Sequence, residues 1–178
     1  MDALTFQRAA GISPILASKL IVHVNAALME FPISTLAQQA AWIAQCGKES
    51  MGFTRTREIW GPIPAQLRYE GRKDLGNTQP GDGKRFMGRG WIQITGRDGY
   101  ILAGKALGLD LVTHPELLED IDLAAVSAAW WWNAHGCSGV LDAKGFDAVT
   151  ELINGGQNGA VERRQRWERA KRALGVSP

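Results

Sequence analysis

Glu49 and Glu58 stand nine positions apart at the opening of a stretch rich in glycine and aromatic residues, and paired carboxyls are what hydrolysis of a glycosidic bond requires. One, protonated, hands a proton to the leaving oxygen, while the other, ionised, activates water or attacks the sugar from the opposite face. A single glutamate is more often a solvated surface residue. Here Met51, Phe53 and Trp60 supply apolar neighbours of the kind that surround a general acid. Other chemistries recede. The chain has no G-x-S-x-G elbow, and His23 and His114 lie near no suggestive serine or cysteine. Gly88-Arg89-Gly90 lacks the strand, spacing and lysine of a phosphate loop. Cys46 and Cys137 have only His135 close to either, too few ligands for a zinc pattern. The expectation is no metal, no cofactor and two buried free thiols.

A longer string carries more. Gly88-Arg89-Gly90-Trp91-Ile92-Gln93-Ile94-Thr95-Gly96-Arg97-Asp98-Gly99-Tyr100 resembles the G-R-G-x-I-Q-[IL]-[ST]-G-R-x-N-Y signature of glycoside hydrolase family 19, which holds chitinases and many phage endolysins. Two further blocks agree with it. Ala44-Gln45-Cys46-Gly47-Lys48-Glu49-Ser50 resembles the A-Q-x-x-H-E-S segment bearing the family's first glutamate, and Ile153-Asn154-Gly155-Gly156 resembles its I-N-G-G segment.

The resemblance implies that Glu49 is the general acid and Glu58 the general base that activates water, with inversion at the anomeric carbon. It implies that Thr95 helps hold that water, that Gln93 and Asn154 bind sugar groups, and that Arg163 supports the cleft. Read without it, Gln93 and Thr95 are exposed polar positions on a plain strand, and Asn154 ends a helix before Gly155. Two positions depart from the family pattern. Lys48 replaces a usual histidine and Gly99 a frequent asparagine, which puts reduced or pH-shifted activity among the expectations.

Such residues need elements to hold them. Ser13 and Pro14 form a cap and first-turn proline, predicting a helix over 15–30. A second helix starts at Ser34 and runs to about Glu49 on the three- and four-residue spacing of Leu36, Ala40, Ile43 and Gly47. From Gly52 to Gly96 breakers dominate, yet Phe53, Trp60, Tyr69, Phe86 and Trp91 argue against disorder. That stretch reads as an active-site lobe with a short strand over 91–95. Helices follow from Arg97 to Leu107, from Pro115, over 122–133, over 146–153 and over 159–174. The fold class is mostly α, a helical body with a loop-rich lobe. The resemblance makes it a lysozyme-like domain.

With 178 residues, 45% hydrophobic and 21% charged, the chain suits one compact catalytic domain and is too apolar for a disordered one. No linker or separate wall-binding module is visible. A net charge of +2 is far below that of a dedicated nucleic-acid binder. The basic run Arg163, Arg164, Arg166, Arg169, Lys171 and Arg172 reads as the solvated face of a helix. No apolar run nears the roughly 18 residues that span a bilayer, and no basic segment followed by an apolar one opens the chain. The resulting expectation is a monomeric endolysin that cuts peptidoglycan glycan strands, without membrane insertion, held in the host cytoplasm until released to the periplasm through holin pores. The likeness of the stretch from Arg57 to Asp82 to phage proteins supports this. A bacterial chitinase, an exported muramidase-like effector and a catalytically impaired glycan-binding protein stay open.

Overall fold

A computed structural model describes residues 1–176. Ten α-helices, two of them a single turn, and two 3₁₀ turns make up nearly all its regular structure. Asp2 accepts from the Thr5 amide and opens α1 (Ala3–Ala10), which Gly11 closes in the left-handed region. Ser13 likewise caps α2 (Pro14–Glu30). Thr35 and Gln38 form a reciprocal capping box at the start of α3 (Leu36–Glu49). After the lobe come α6 (Arg97–Leu107), a 3₁₀ turn (Pro115–Glu119), α7 (Ile121–Ala134), α8 (Cys137–Lys144), α9 (Phe146–Asn154) and α10 (Ala160–Leu174).

The centre is α7, whose Ala124, Ala125, Ala128, Ala129 and Trp132 are fully buried. Small side chains along one helix let neighbours approach closely, and α2, α6 and α8 pack on it. A second layer sets α10 against α3 and α1. One hydrophobic cluster links these layers, with Trp42, Trp91 and Phe53 at their junction. No single helix among the described residues is long and apolar enough to cross a membrane.

Between α3 and α6 the lobe holds α4 (Pro64–Leu67), a 3₁₀ turn (Lys73–Leu75) and α5 (Asp82–Arg85). Buried Asn77 staples it, donating to the Tyr69 carbonyl at 2.9 Å and accepting from the Arg97 amide at 2.9 Å.

Several expectations require correction. No strand forms over 91–95: the segment is a turn, Gln93 has φ 59°, and only the isolated bridges Arg57–Arg89 and Arg89–Ile94 pair backbones there. A left-handed residue breaks the alternation that a strand needs. The second helix begins after Thr35 rather than at Ser34, because Thr35 makes the cap. Helices α1 and α8 went unforeseen. Gly136, read as a stop, both ends α7 and precedes α8 from the left-handed region. The basic run is only partly solvated, since Arg163 is buried and Arg169 donates to the carbonyls of Ala9 and Ala10, tying α10 to α1.

Candidate active site

Glu49 is the last residue of α3, and what stops the helix there also shapes the site. The Ser50 amide and hydroxyl both donate to the Cys46 carbonyl, and the Phe53 amide donates to the Ser50 hydroxyl at 2.9 Å. Met51, Gly52 and Phe53 then all adopt positive φ, at 52°, 74° and 64°. Two of these are not glycine, so the turn stores strain. Phe53 holds it, buried edge-on against Phe6 and Trp91 at centroid distances of 5.5 and 5.0 Å.

Glu49 has a side-chain exposure of 19% and pairs through Oε1 with Arg163 of α10. That guanidinium is buried and donates to Gln45 Oε1 at 2.6 Å, with Asn154 Oδ1 at 3.5 Å. Gln45 in turn donates to Thr150 Oγ1 at 2.8 Å. One arginine therefore locks α3, α9 and α10 around the carboxyl, a geometry that suits its planar fork of donors. Lys48 does not pair with Glu49. Its ammonium meets Glu162 at 2.5 Å, and Arg166 joins the same carboxylate at 3.0 Å, so the lysine charge is engaged elsewhere.

Glu58 sits in the lobe, held by backbone and side chain together. Its amide donates to the Gly88 carbonyl at 2.9 Å, and its Oε1 accepts from the Gly88 amide at 2.8 Å. Oε2 accepts from buried Gln66 at 3.2 Å. Gly88 lets the segments approach closely, since a Cβ there would stand 2.8 Å from Gln93 Oε1 and 3.3 Å from Thr95 Oγ1, and the Gln93 side chain would have to shift. That close approach sets Glu58 against the turn bearing both residues.

The turn lines a groove of about 620 Å³ with Tyr69, Arg72, Trp130, Trp131, His135 and Asn154 among its walls. Gln93 donates to the Gly90 carbonyl at 2.9 Å and Thr95 to the Gln93 carbonyl at 2.9 Å, so both side chains brace the turn as well as face the groove. Asn154 ends α9 before left-handed Gly155 and lines the groove too, so the helix-ending reading and the binding reading describe one residue. Gly99 lies on the same wall. Burial raises the Tyr69 hydroxyl pKa, and the nearby negative charge of Glu58 raises it further.

Sequence reasoning missed Gln66, Tyr69, Trp130, Trp131 and His135. A signal for the tryptophans existed. Consecutive residues on a helix point about 100° apart, so Trp130, Trp131 and Trp132 cannot all face the core. Trp132 takes it, Trp130 borders the groove, and Trp131 stacks on His135 at 3.8 Å. The expected apolar surround of the acid is not assembled, since Met51 is exposed, Phe53 belongs to the core and Trp60 pairs with Tyr69. Among the described residues no group of three or more His, Cys, Asp or Glu is placed to hold a metal ion.

Comparison with known proteins bears on these features. The family model described as chitinase class I matches residues 38–139. A glycosyl hydrolase family 19 domain-containing protein of Haemophilus influenzae is 36% identical, across 71% of this chain and 74% of its own. An endochitinase of Arabidopsis thaliana is 38% identical across 78% of this chain, which spans only 48% of that protein. In fold, chitinase C of Streptomyces griseus superposes with a TM-score of 0.76 at 21% identity, covering 99% of this chain and 77% of its own. A second bacterial family 19 chitinase superposes with a TM-score of 0.75 at 22% identity, covering 99% and 96%. The chain belongs to glycoside hydrolase family 19 and is a glycoside hydrolase with the mostly helical, lysozyme-like fold of that family.

Proposed function

We infer that this chain hydrolyses the β-1,4 glycan backbone of bacterial peptidoglycan, with Glu49 as general acid, Glu58 as general base and inversion at the anomeric carbon. One observation carries the reading: each carboxylate, while not itself lining the groove, is tied to residues on a different wall of it. Glu49 reaches it through Arg163 and Asn154, and Glu58 through Gly88 and the Gln93–Thr95 turn.

The anchoring leaves each carboxyl a position free for its role. Arg163 engages Oε1 of Glu49, and among the described residues Oε2 has no protein partner, so that oxygen can carry the proton for the leaving group. Glu58 accepts one hydrogen bond on each oxygen, and an ionised carboxyl has roughly four lone-pair sites. Room remains to accept from a water. Thr95 spends its hydroxyl hydrogen on the Gln93 carbonyl, so its oxygen lone pairs are oriented as acceptors for that water. Gln93 and Asn154 supply polar groups for sugar substituents, and Trp130 and Trp131 supply apolar surface for ring faces.

In this reading the protein is an endolysin, acting as a monomer that waits in the host cytoplasm and meets the wall after holin pores open. A chitinase reading is favoured by the plant relatives, which are endochitinases. Chitin and peptidoglycan share β-1,4-linked N-acetylated sugars, so one apparatus can serve either. Turbidity loss of Gram-negative cells stripped of their outer membrane tests the reading, with colloidal chitin as the rival substrate. Lysis by wild type, abolished in Glu49→Gln and Glu58→Gln, is the expected result. Each variant should fold normally and lose roughly 10²- to 10⁴-fold in rate. Chitin cleavage without lysis overturns the peptidoglycan assignment. Mass spectrometry of reduced muropeptides then names the bond, because the new reducing end is either N-acetylmuramic acid or N-acetylglucosamine.

A further inference from the structure

The groove is not the only cavity beside the lobe, and Glu58 does not itself line it. A second one, about 420 Å³, opens beside Glu58 and is lined by the continuous stretch from Thr54 to Trp60 together with Met87 and Glu119. The two cavities meet at an aromatic pair. Trp60 lines the second, Tyr69 lines the groove, and their rings lie 6.3 Å apart. A molecule seated with its scissile bond at Glu58 therefore has this cavity within one sugar unit of the cut.

The charge of the cavity is unusual beside a catalytic carboxylate. Arg55 is exposed, and among the described residues its guanidinium has no hydrogen-bond or salt-bridge partner. Arg57 is also exposed, with a 3.4 Å contact to Glu119. That acid already has a closer partner, buried Arg89, at 2.8 Å. Glu119 is thus neutralised from behind, and two solvent-facing guanidiniums remain over a cavity edged by Trp60 and Ile59. Guanidinium forks match carboxylates bidentately. A neutral homopolymer of N-acetylated sugars offers them no carboxylate to pair with.

We propose that the Arg55–Arg57 cavity is a subsite for the carboxylate-bearing peptide branches of a β-1,4 glycan, and that it makes the enzyme prefer branched peptidoglycan strands to bare ones. The inference rests on the peptidoglycan reading above. In such strands every second sugar carries its peptide through a lactyl ether, so a branch always falls within one sugar of any bond placed at Glu58. Its free carboxylates meet the arginines while its backbone lies along Trp60 and Ile59.

The test uses soluble, uncross-linked glycan strands bearing their peptide stems, and the same strands after an amidase has removed the stems. The readout is the ratio of kcat/KM on stemmed strands to kcat/KM on bare ones. Wild type should show a ratio of roughly three to ten at low ionic strength, the range two exposed ion pairs supply. The preference should reside in KM and shrink in about 0.5 M salt, where exposed charges are screened. The double variant Arg55→Gln, Arg57→Gln should bring the ratio close to one, and Arg55→Lys with Arg57→Lys should keep most of it. Because the readout is a ratio, a general loss of activity in the variants does not mimic the result. A wild-type ratio of one, or a ratio unmoved by the double glutamine variant, overturns the subsite while leaving peptidoglycan hydrolysis standing. Failure to cut either strand while cutting chitin oligosaccharides ends both.

Discussion

Removing the Arg163 guanidinium takes donors from two acceptors at once, Glu49 Oε1 and Gln45 Oε1, and loosens a third contact at Asn154. Arg163→Gln should destabilise the fold by about 3 kcal/mol, the low end for breaking a buried ion pair, because Glu49 keeps some contact with water. Urea unfolding at pH 7 measures this. Arg163→Lys restores the charge but cannot reach both acceptors, since an ammonium has no fork. It should recover stability while the lytic rate stays roughly tenfold or more below wild type; full activity would mean that charge alone matters. The cysteines give an independent check of the core. Burial pushes the Cys46 thiol well above its usual pKa, with the charge of Glu49 adding to the effect, and pushes Cys137 up to about 12. Only the thiolate is a nucleophile. At pH 8 iodoacetamide should label neither cysteine in the native protein and both in urea, as mass spectrometry would show. At this scale the sequence was informative where motif strings were long. Arg163 and Glu49 could be nominated by resemblance, but their pairing across more than a hundred positions could not. Gln66, whose side chain steadies Glu58, sits in a stretch with no legible pattern.

Among the elements, helices with strong caps were legible and turns built on left-handed residues were not. Ser13-Pro14 and the glycines after Leu107 and Leu174 announced their helix ends correctly. The 91–95 turn was read as a strand because Trp91, Ile92 and Ile94 are strand-forming types. What decides the matter is Gln93, held at positive φ by its own bond to Gly90 and by the tight approach of Gly88. No propensity encodes that. The lobe depends on a further element-level contact, the bidentate pair between Asp82 at the start of α5 and Arg97 at the start of α6, with distances of 2.5 and 2.9 Å. Hydrogen bonding from Arg97 holds the Asp82 carboxyl below its ordinary value of 3.8. A group whose pKa is lowered on folding contributes stability above its unfolded value, and loses it as pH falls through the folded one. The stability advantage of wild type over Asp82→Asn should therefore be full at pH 6 and shrink below about pH 3.8. Melting temperatures from pH 7 to pH 2 test this. Parallel curves throughout would show that the ion pair does not staple the lobe.

Across the molecule, the groove lies between a helical body and a lobe that is mostly turns, and its walls have different origins. Asn154, Trp130 and Trp131 stand on helices packed into the core, whereas Tyr69, Gln93 and Thr95 depend on the lobe. The sequence showed this division as a contrast between periodic and breaker-rich stretches. It did not show the groove, because the walls come from the lobe, α6, α7 and α9, segments far apart in the chain that only the folded packing brings together. Such a division suits an inverting mechanism, which must leave space for a water between base and anomeric carbon. Carboxyl groups in inverting enzymes stand roughly 6.5–9.5 Å apart, against about 5–5.5 Å in retaining ones. Here each carboxylate is tied to its own wall by separate partners, Arg163 on one side and Gly88 with Gln66 on the other, and no hydrogen bond joins them. Proton nuclear magnetic resonance of a glycan digest, recorded within the first minutes before mutarotation, should therefore show the α-anomer appearing first from a β-linked substrate. The β-anomer first would place Glu58, or another group, in contact with the anomeric carbon as a nucleophile.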